Sequence, residues 1–358
     1  MSSRTPKLLL WMILIIPISV ISGDTPSLDL ELTKVGEIQT GGVAVDIQVI
    51  DDLLYVADHL GLLIYNISAP DYPQKVGQYL DGGTGHGIHI DGSYAFIADL
   101  VDGLEVYDIC TPTSPQKIGS YFDKRMVVDV FVQGSLCYAS VHGTEFAVLD
   151  VSNPGNITRI GHYDDIVVGY SIYCINNIAF VADYDAGLLI LDISNASNPH
   201  LIGKFNDGDI IRAIDVEDNI VFASCATDGG FKTINVTEPS NPVLLGEYQN
   251  ISFGIGVDKK EEYAFVCDYD NGLRILDVDN PVNPTLSGSY EGEKFFHVHV
   301  VNEYVYVLQS GGIILILQIN KNTSSTSDSS TPGYELVYFL LIFGLISLLH
   351  KNKHRKNK

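Results

Sequence analysis

The sequence predicts an all-β fold, a seven-bladed β-propeller of four-stranded blades, on three observations. One unit recurs seven times, its segments have the pattern of short strands, and an isolated copy of the fourth strand precedes the first unit. The residues that end the second strand of each unit are Ala57, Ala98, Ala139, Ala182, Ala223, Cys267 and Leu308. Their spacing of 41 to 44 residues is typical of propeller blades and longer than that of hexapeptide or leucine-rich repeats.

Each unit reads as four strands. In the first unit, alternating or β-rich segments cover residues 45–50, 53–57, 62–67 and 75–79, and no segment has apolar residues at helical spacing. Pro70 and Pro73 lie between the last two segments. Because proline cannot donate a ladder hydrogen bond, this turn and its counterparts in later units are predicted to connect the third and fourth strands.

The fourth strands predict how the ring closes. Their Gly-x-aromatic pattern recurs at Gly77, Gly119, Gly161, Gly203, Gly246 and Gly288, and a degenerate copy stands at residues 35–38. The seventh unit ends with a third strand at 312–319 and has no fourth strand of its own. We therefore expect a propeller over residues 34–320 in which the N-terminal strand completes the last blade and removes the open sheet edges.

Several of these segments resemble the LVIVD repeat, a propeller-forming repeat of bacterial and archaeal surface proteins. The resemblance rests on residues 55–58 (YVAD), 180–183 (FVAD) and 265–268 (FVCD), and on 187–194 (GLLILDIS) and 272–279 (GLRILDVD). It covers about residues 34–320, although Ser140 and Gln309 stand where other units have aspartate. The resemblance implies an extracytoplasmic propeller and no particular activity.

The N-terminal segment is predicted to direct export. Residues 1–23 combine Arg4 and Lys7, an apolar core over 8–21 and a small-residue exit, which is typical of a secretory signal peptide. The alternative is an N-terminal anchor that is never cleaved, and the short core with Pro17 favours the signal peptide.

The C-terminal segment is predicted to attach the protein to a membrane. Residues 321–331 are a Ser/Thr-rich stalk, and residues 332–358 hold a Pro-Gly motif, a short apolar helix and a basic tail. This order resembles archaeal sorting signals of the archaeosortase type, similar to PGF-CTERM tails. The resemblance implies a lipid anchor that replaces the helix, and the alternative is a single-pass anchor. Both alternatives place the propeller outside the cell, on the outer face of the membrane.

Acceptor patterns for N-glycosylation agree with export, and the residues are Asn66, Asn156, Asn195, Asn235, Asn250 and Asn322. The alternative is chance, because Asn and Ser are also turn formers. The five cysteines form no CxxC pair or zinc spacing, and their odd number permits a disulfide without requiring one. The formal net charge of −23 repels nucleic acid and anionic lipid, so we expect no nucleic-acid partner.

The predicted channel holds the candidate site. The first strand of each blade lines a propeller channel, and its polar residues are Asp46, His86, His89, Asp129, Tyr170, Arg212, Asp215, His297 and His299. His297 and His299 share a strand face, so with Asp46 they could bind a transition metal. The alternative is that these histidines line a solvated pore or form hydrogen bonds between blades.

Aspartates recur in the turn between the second and third strands, at Asp58, Asp99, Asp102, Asp183, Asp185, Asp228, Asp268 and Asp270. Residues 268–272 resemble the start of a calcium loop, but the downstream bidentate Glu is absent. We expect these side chains to accept hydrogen bonds from turn amides, with calcium as the alternative. No cofactor is predicted beyond these two metal hypotheses.

No phosphate loop, nucleophile elbow, HExxH helix or dinucleotide motif is present in the sequence, so an enzyme is less favoured than a binding protein. The prediction is a cell-surface binding module for an extracellular protein or glycan. Aromatic residues stand beside acids in the loops between blades, which would suit either ligand, but the favoured interpretation is that the aromatic is the last packed residue of the fourth strand and the acid lies in a solvated turn. The alternatives are a propeller hydrolase or lyase that acts on an extracellular saccharide or lactone through the channel histidines, and a structural component of the envelope.

Overall fold

The computed structural model describes residues 30–143, 145–227 and 230–321, and these form seven four-stranded antiparallel sheets arranged as a ring. The first strands of successive sheets contact one another all the way round, including β26 against β2. The seven-bladed propeller of four-stranded blades is therefore confirmed. The predicted signal peptide and C-terminal anchor lie outside the described residues. Within the described part of the chain, no helix has the length and apolar character to cross a membrane.

The strands agree closely with the predicted segments. Blade 1 holds β2 (Ala44–Ile50), β3 (Leu53–Asp58), β4 (Gly61–Asn66) and β5 (Gln74–Leu80). Blade 2 holds β6 (Gly85–Asp91), β7 (Tyr94–Asp99), β8 (Gly103–Asp108) and β9 (Gln116–Tyr121). Blade 3 holds β10 (Val127–Gln133), β11 (Leu136–Val141), β12 (Glu145–Asp150) and β13 (Thr158–Asp164), with a 3₁₀ turn at Pro154–Asn156. Blade 4 holds β14 (Gly169–Ile175), β15 (Ile178–Asp183), β16 (Gly187–Asp192) and β17 (His200–Phe205).

Blade 5 holds β18 (Ile211–Glu217), β19 (Ile220–Cys225), β20 (Phe231–Asn235) and β21 (Val243–Tyr248). Blade 6 holds β22 (Gly254–Lys260), β23 (Tyr263–Asp268), β24 (Gly272–Asp277) and β25 (Thr285–Tyr290). Blade 7 holds β26 (Phe295–Val301), β27 (Tyr304–Gln309) and β28 (Ile313–Lys321), and β1 (Leu30–Gln39) is its outer strand.

The N-terminal strand closes the ring as predicted. β1 pairs antiparallel with β28 from Leu30 opposite Lys321 to Gln39 opposite Ile313. The strand is longer than the copy at residues 35–38 that the sequence motif shows, because pairing extends to the end of β28. Lys321, assigned to the stalk by composition, is the last residue of β28. The closure leaves blade 7 with a full set of four strands made from both ends of the propeller.

The apolar core is divided among the interfaces between blades. The described residues form seven buried clusters, and each cluster joins side chains from two neighbouring blades. Cys137, Cys174, Cys225 and Cys267 belong to these clusters, and burial raises the pKa of all four thiols. They therefore pack as small apolar side chains, and no cysteine in the described part forms a disulfide.

The glycine of each fourth strand marks the closest approach between blades. A Cβ atom on Gly119 would lie 1.8 Å from the carbonyl oxygen of Pro154, in the turn between the third and fourth strands of the next blade. Gly77 and Gly203 meet the carbonyls of Pro112 and Pro239 at the same distance of 1.8 Å. The Gly-x-aromatic pattern and the proline-containing turns are thus two sides of one contact at six of the blade interfaces. Gly288 is the exception and meets the carbonyl oxygen of Leu30 at 2.8 Å, because β1 supplies the outer strand of blade 7.

Candidate functional site

A bulge marks the beginning of every first strand. The antiparallel register between the first and second strands skips one residue near the channel mouth in all seven blades. The skipped residues, which we call the bulge ring, are Val45, His86, Val128, Tyr170, Arg212, Ile255 and Phe296. A bulge of this kind re-aims a side chain without ending the strand.

The bulge ring opens into one central cavity of about 390 Å³ that residues from all seven first strands line. Every polar residue predicted for the channel borders this cavity: Asp46, His86, His89, Asp129, Tyr170, Arg212, Asp215, His297 and His299. The bulge explains why His86 and His89 share the cavity, since residues three apart on a regular strand point to opposite faces. The role of these residues in binding stays a prediction.

The channel carboxylates bind backbone amides of the next blade. Asp46 accepts the N–H of Ile88 at 2.8 Å, and Asp129 accepts the N–H of Ile172 at 2.7 Å. Asp46 also accepts the N–H of its neighbour Ile47 at 2.8 Å. The first strand is the edge of each sheet nearest the channel, so the N–H groups on its channel side have no ladder partner. These aspartates satisfy the inner edges and join one blade to the next.

The same contact recurs in the blades that follow. Asp215 accepts the N–H of Lys259 at 2.9 Å, and Asp258 accepts the N–H of Val300 at 2.6 Å. In blade 1 the amide oxygen of Gln48 takes this role toward Ile90 at 2.6 Å. The sequence reasoning missed Asp258. An alignment of the first strands would have found it, because Asp258 stands at the position that Asp215 holds in blade 5.

The two histidines of β26 contact different carboxylates. His297 Nε2 lies 3.0 Å from Asp46 Oδ1, whereas His299 Nδ1 lies 3.4 Å from Asp258 Oδ2. The predicted metal set joins both imidazoles to Asp46, and in the structure His299 contacts Asp258 instead. The geometry therefore favours the alternative of hydrogen bonds between blades, and a metal at His297, His299 and Asp46 stays a hypothesis.

The middle of the channel has an aromatic side and an ionisable side. On the aromatic side the ring of Phe131 lies 4.6 Å from that of His89 and 5.5 Å from that of Tyr173. On the other side, Asp215 and Asp258 stand beside His299. Burial raises the pKa of Asp215 to about 6, and the nearby charge of Asp258 acts in the same direction. Burial is the largest single influence on His299 and opposes its protonation, but the hydrogen bond to Asp258 and the charges of Asp258, Asp46 and Asp215 together outweigh it and raise the pKa of the imidazole.

The raised pKa of Asp129 predicts how the stability of the fold depends on pH. Burial raises the pKa of this half-buried carboxyl to about 7, and the charge of Asp46 adds to the effect. Because the folded state holds this proton more tightly than the unfolded chain, its contribution to stability is present at pH 4 and is lost as the pH rises through about 7. We expect the free energy of unfolding to fall between about pH 4 and pH 7 by up to about 1 kcal/mol per pH unit, and this slope to flatten in Asp129→Asn.

Denaturant unfolding at each pH measures the slope, and Asp192→Asn is the control. Hydrogen bonds from Ser194 lower the pKa of Asp192, so its effect on stability lies below pH 4, and blades 1 and 5 have Asn66 and Asn235 at the equivalent position. An Asp129→Asn slope equal to that of the control would contradict a raised Asp129 pKa.

The aspartates at the ends of the second strands are buried and connect two loops. Asp183 accepts the local amide of Ala186 at 2.8 Å and also that of Val167 at 2.8 Å, in the loop that leads into β14. Asp268 accepts the hydroxyl of Ser252 at 2.7 Å in the same way. The predicted bonds from turn amides are present at Asp58 and Asp183, whereas Asp99 and Asp268 accept backbone amides of the preceding loop, which is an addition. Calcium at residues 268–272 stays a hypothesis, and Asp228 lies outside the described residues.

Within the described ranges, two clusters of acidic and histidine side chains bring their ligand atoms within 4.8 Å of one another: Glu145, His162 and Asp164, and Asp81, Asp99 and Glu105. Both lie away from the channel residues, and both already contact a protein cation. Lys117 pairs with Asp81 and Glu105, and Arg159 pairs with Glu145. The protein therefore supplies the positive charge that these acids need.

Turn geometry explains three of the acceptor patterns for glycosylation. The side-chain oxygens of Asn66, Asn195 and Asn235 accept the backbone N–H two residues further on, at 3.0, 3.2 and 2.8 Å. Such turns favour Asn followed by Ser or Thr without any glycan. Glycosylation stays a prediction, and Asn322 lies outside the described residues.

Comparison with known proteins supports the fold. Residues 41–81, 82–123, 124–165, 171–207 and 256–292 match the LVIVD repeat, which together is more than half of the chain. BamB from Moraxella catarrhalis has a TM-score of 0.60 at 14% identity, over 80% of this chain and 98% of BamB. The Cps50 (Swd1) β-propeller domain from Myceliophteria thermophila has a TM-score of 0.66 at 14% identity, over 81% of this chain and 100% of that domain.

The computationally designed protein Ika8 has a TM-score of 0.59 at 14% identity, over 77% of this chain and 83% of Ika8. At this level of identity the three likenesses show a shared fold alone. No curated protein matches the sequence.

Proposed function

This chain belongs to the LVIVD-repeat family, and on that premise we propose that it is an exported β-propeller that acts as a binding module, with its ligand at the channel mouth. The observation that carries the proposal is the bulge ring. Seven strand beginnings with the same backbone geometry present six kinds of side chain to one cavity. These side chains lie outside the ladder, so the ring can close whether or not they differ from blade to blade. Their difference is therefore better explained by binding than by folding.

The cavity has the size and lining of a ligand site. Its volume of about 390 Å³ falls within the range of small-molecule pockets, and it combines aromatic walls with a few polar groups. A small ligand, or the end of an extracellular protein or glycan, would fit this space. The charge of −23 argues against polyanionic partners such as nucleic acid.

Export is supported by the predicted signal peptide, the basic tail and the surface positions of Asn156, Asn195 and Asn250. We propose that the propeller is held on the outer face of the membrane, by a single-pass helix or a lipid anchor. A membrane-impermeant amine reagent should label the propeller lysines on intact cells. Labelling that appears only after lysis would contradict this location.

Binding at the mouth predicts a loss on truncation of the bulge ring. Concentrated culture medium should raise the melting midpoint of the purified full chain saturably, because a ligand that binds the folded state stabilises it. The triple variant Tyr170→Ala, Arg212→Ala, Phe296→Ala should lose this rise. The control is Ile50→Ala with Ile175→Ala, which changes exposed side chains at the opposite ends of two first strands. An equal rise in the triple variant would contradict binding at the mouth.

A hydrolase or lyase is the second candidate, because imidazoles paired with carboxylates can transfer protons. His297 with Asp46 and His299 with Asp258 are such pairs. The binding function is preferred, since no Ser, Thr or Cys side chain in the described part of the chain forms a hydrogen bond with either imidazole. Turnover of a saccharide or lactone that His297→Ala abolishes would favour the enzyme.

A further inference from the structure

Arg212 is the permanently charged member of the bulge ring. The register between β18 and β19 passes from Ile211 to Ala213, which leaves Arg212 outside the ladder at the beginning of the strand. Its side chain borders the central cavity and is half-buried. The other six bulge positions hold apolar residues, a tyrosine and a histidine. Arg212 is therefore the cation that a ligand entering the mouth would meet.

The guanidinium is held by stacking rather than by an acid. Its central carbon lies 3.7 Å from the centroid of the Tyr170 ring, which occupies the bulge position of the preceding blade. Tyr184 packs edge-on against Tyr170 with centroids 6.2 Å apart and restrains that ring. Stacking covers the face of the guanidinium and leaves its N–H donors in the plane, where a carboxylate fork can bind.

Those donors have no partner among the described residues. In residues 30–143, 145–227 and 230–321, no hydrogen bond or ion pair involves Arg212, although the protein carries a net charge of −23. The channel acids do not neutralise it, since Asp129 and Asp215 bind backbone amides of the next blades. A half-buried arginine with free donors in a cavity offers those donors to an anion from outside the protein, which would replace water there with charge-assisted hydrogen bonds.

His86 adds an acceptor to the same mouth. Its Nδ1 lies 2.8 Å from the carbonyl oxygen of Val128, so this nitrogen carries the proton and donates. Burial lowers the pKa of His86, which favours the neutral ring, and in the neutral ring Nε2 is an acceptor. A ligand that brings both an anionic fork for Arg212 and a hydroxyl for His86 would satisfy both residues.

The acids of the channel decide which anion fits. Both carboxylates and phosphates match the arginine fork, but the carboxylates of Asp46, Asp215 and Asp258 lie in the same cavity. Their field repels a doubly charged phosphate more strongly than a singly charged carboxylate. From this arrangement we propose that the channel mouth binds a small hydroxy-monocarboxylate, with its carboxylate on Arg212 and a hydroxyl toward His86. This inference rests on the proposed function and names the chemistry of its ligand.

The test is a calorimetric titration of the purified full chain with five compounds. Three are sugars that differ at one carbon: glucuronate, glucose and glucose 6-phosphate. The other two are the hydroxy-carboxylates lactate and gluconate. At least one of the three carboxylates (glucuronate, lactate or gluconate) should bind saturably, and glucose and glucose 6-phosphate should bind at least about tenfold more weakly than that carboxylate. Arg212→Gln should weaken binding of that carboxylate by about tenfold or more. Arg212→Lys should weaken it by a smaller factor, since lysine keeps the positive charge but lacks the planar fork.

Lys259→Gln is the control, because this cation is paired with Glu217 and does not border the cavity. It should bind the carboxylate as the wild type does, and the melting midpoints of the free variants show that each remains folded. The inference would be overturned if none of the three carboxylates binds saturably, or if Arg212→Gln binds the carboxylate with the same affinity as the wild type. If culture medium still stabilises the wild type in that case, the inference is wrong and the binding function remains; if it does not, both are wrong.

Discussion

Gly119→Ala is expected to lower the free energy of unfolding by about 3 kcal/mol, measured by denaturant unfolding of the full chain. The new methyl group would stand 1.8 Å from the carbonyl oxygen of Pro154 and 2.6 Å from its carbonyl carbon. Both neighbours are backbone atoms, so no side chain can rotate to make room. The two blades must move apart, and the apolar cluster between blades 2 and 3 would lose contacts as they do.

The matched control lies in the same turn. A Cβ atom on Gly155 would meet its nearest atom, Oδ1 of Asn153, at 3.5 Å, which is an ordinary contact. Gly155→Ala should therefore be close to neutral, or slightly stabilising through its effect on the unfolded chain. Equal losses in Gly119→Ala and Gly155→Ala would show that the approach of the blades is not what selects glycine in the fourth strand.

Deletion of residues 30–39 should abolish the monomeric folded state. The deletion removes the buried side chains of Leu30, Leu32 and Ile38, which together contribute about 6 kcal/mol, a large part of the net stability of a domain. It also leaves β28 as an exposed edge of nine residues with the sequence IILILQINK. A long, apolar, unpaired edge of this kind pairs with other chains, so we expect aggregates in size-exclusion chromatography.

A peptide provides the control for this deletion. The synthetic strand LELTKVGEIQ, added during refolding, should pair with β28 and restore part of the monomer, whereas a scrambled peptide of the same composition should not. A truncated chain that stays monomeric and melts like the wild type would refute the closing role of β1. The pair of peptides separates loss of strand pairing from a general effect of shortening the chain.

The fold was predictable because its signals are local and repeated. The strand pattern, the proline turns and the Gly-x-aromatic motif each lie within a few residues of one another. Because the unit recurs seven times, a unit with a degenerate pattern can be identified by alignment with the others. The orphan copy at residues 35–38 even identified the closing strand. What one copy could not show was its full length, because the pairing of Leu30 with Lys321 depends on a strand about 290 residues away.

The site was predictable in its membership and less so in its contacts. Asp46 and His297 were expected to meet across the closure, and they do. The bond from Asp46 to the N–H of Ile88 was not expected, because it joins residues 42 positions apart and depends on how far each blade rotates from the last. The lack of an ion pair between Arg212 and any acid of the described residues likewise depends on the bulge, which has no sequence signature in β18.

The bulges also determine which residues of the propeller can be substituted without loss of the fold. A residue outside the ladder can be exchanged without the loss of a backbone hydrogen bond, so each of the seven positions can vary by itself while the 28 strands keep their pairing. The scaffold therefore resembles an antibody framework, in which a constant set of sheets carries a small set of variable positions. If the channel mouth binds the ligand as we propose, substitutions at these seven positions would change its specificity, and each could be tested singly in an unchanged fold.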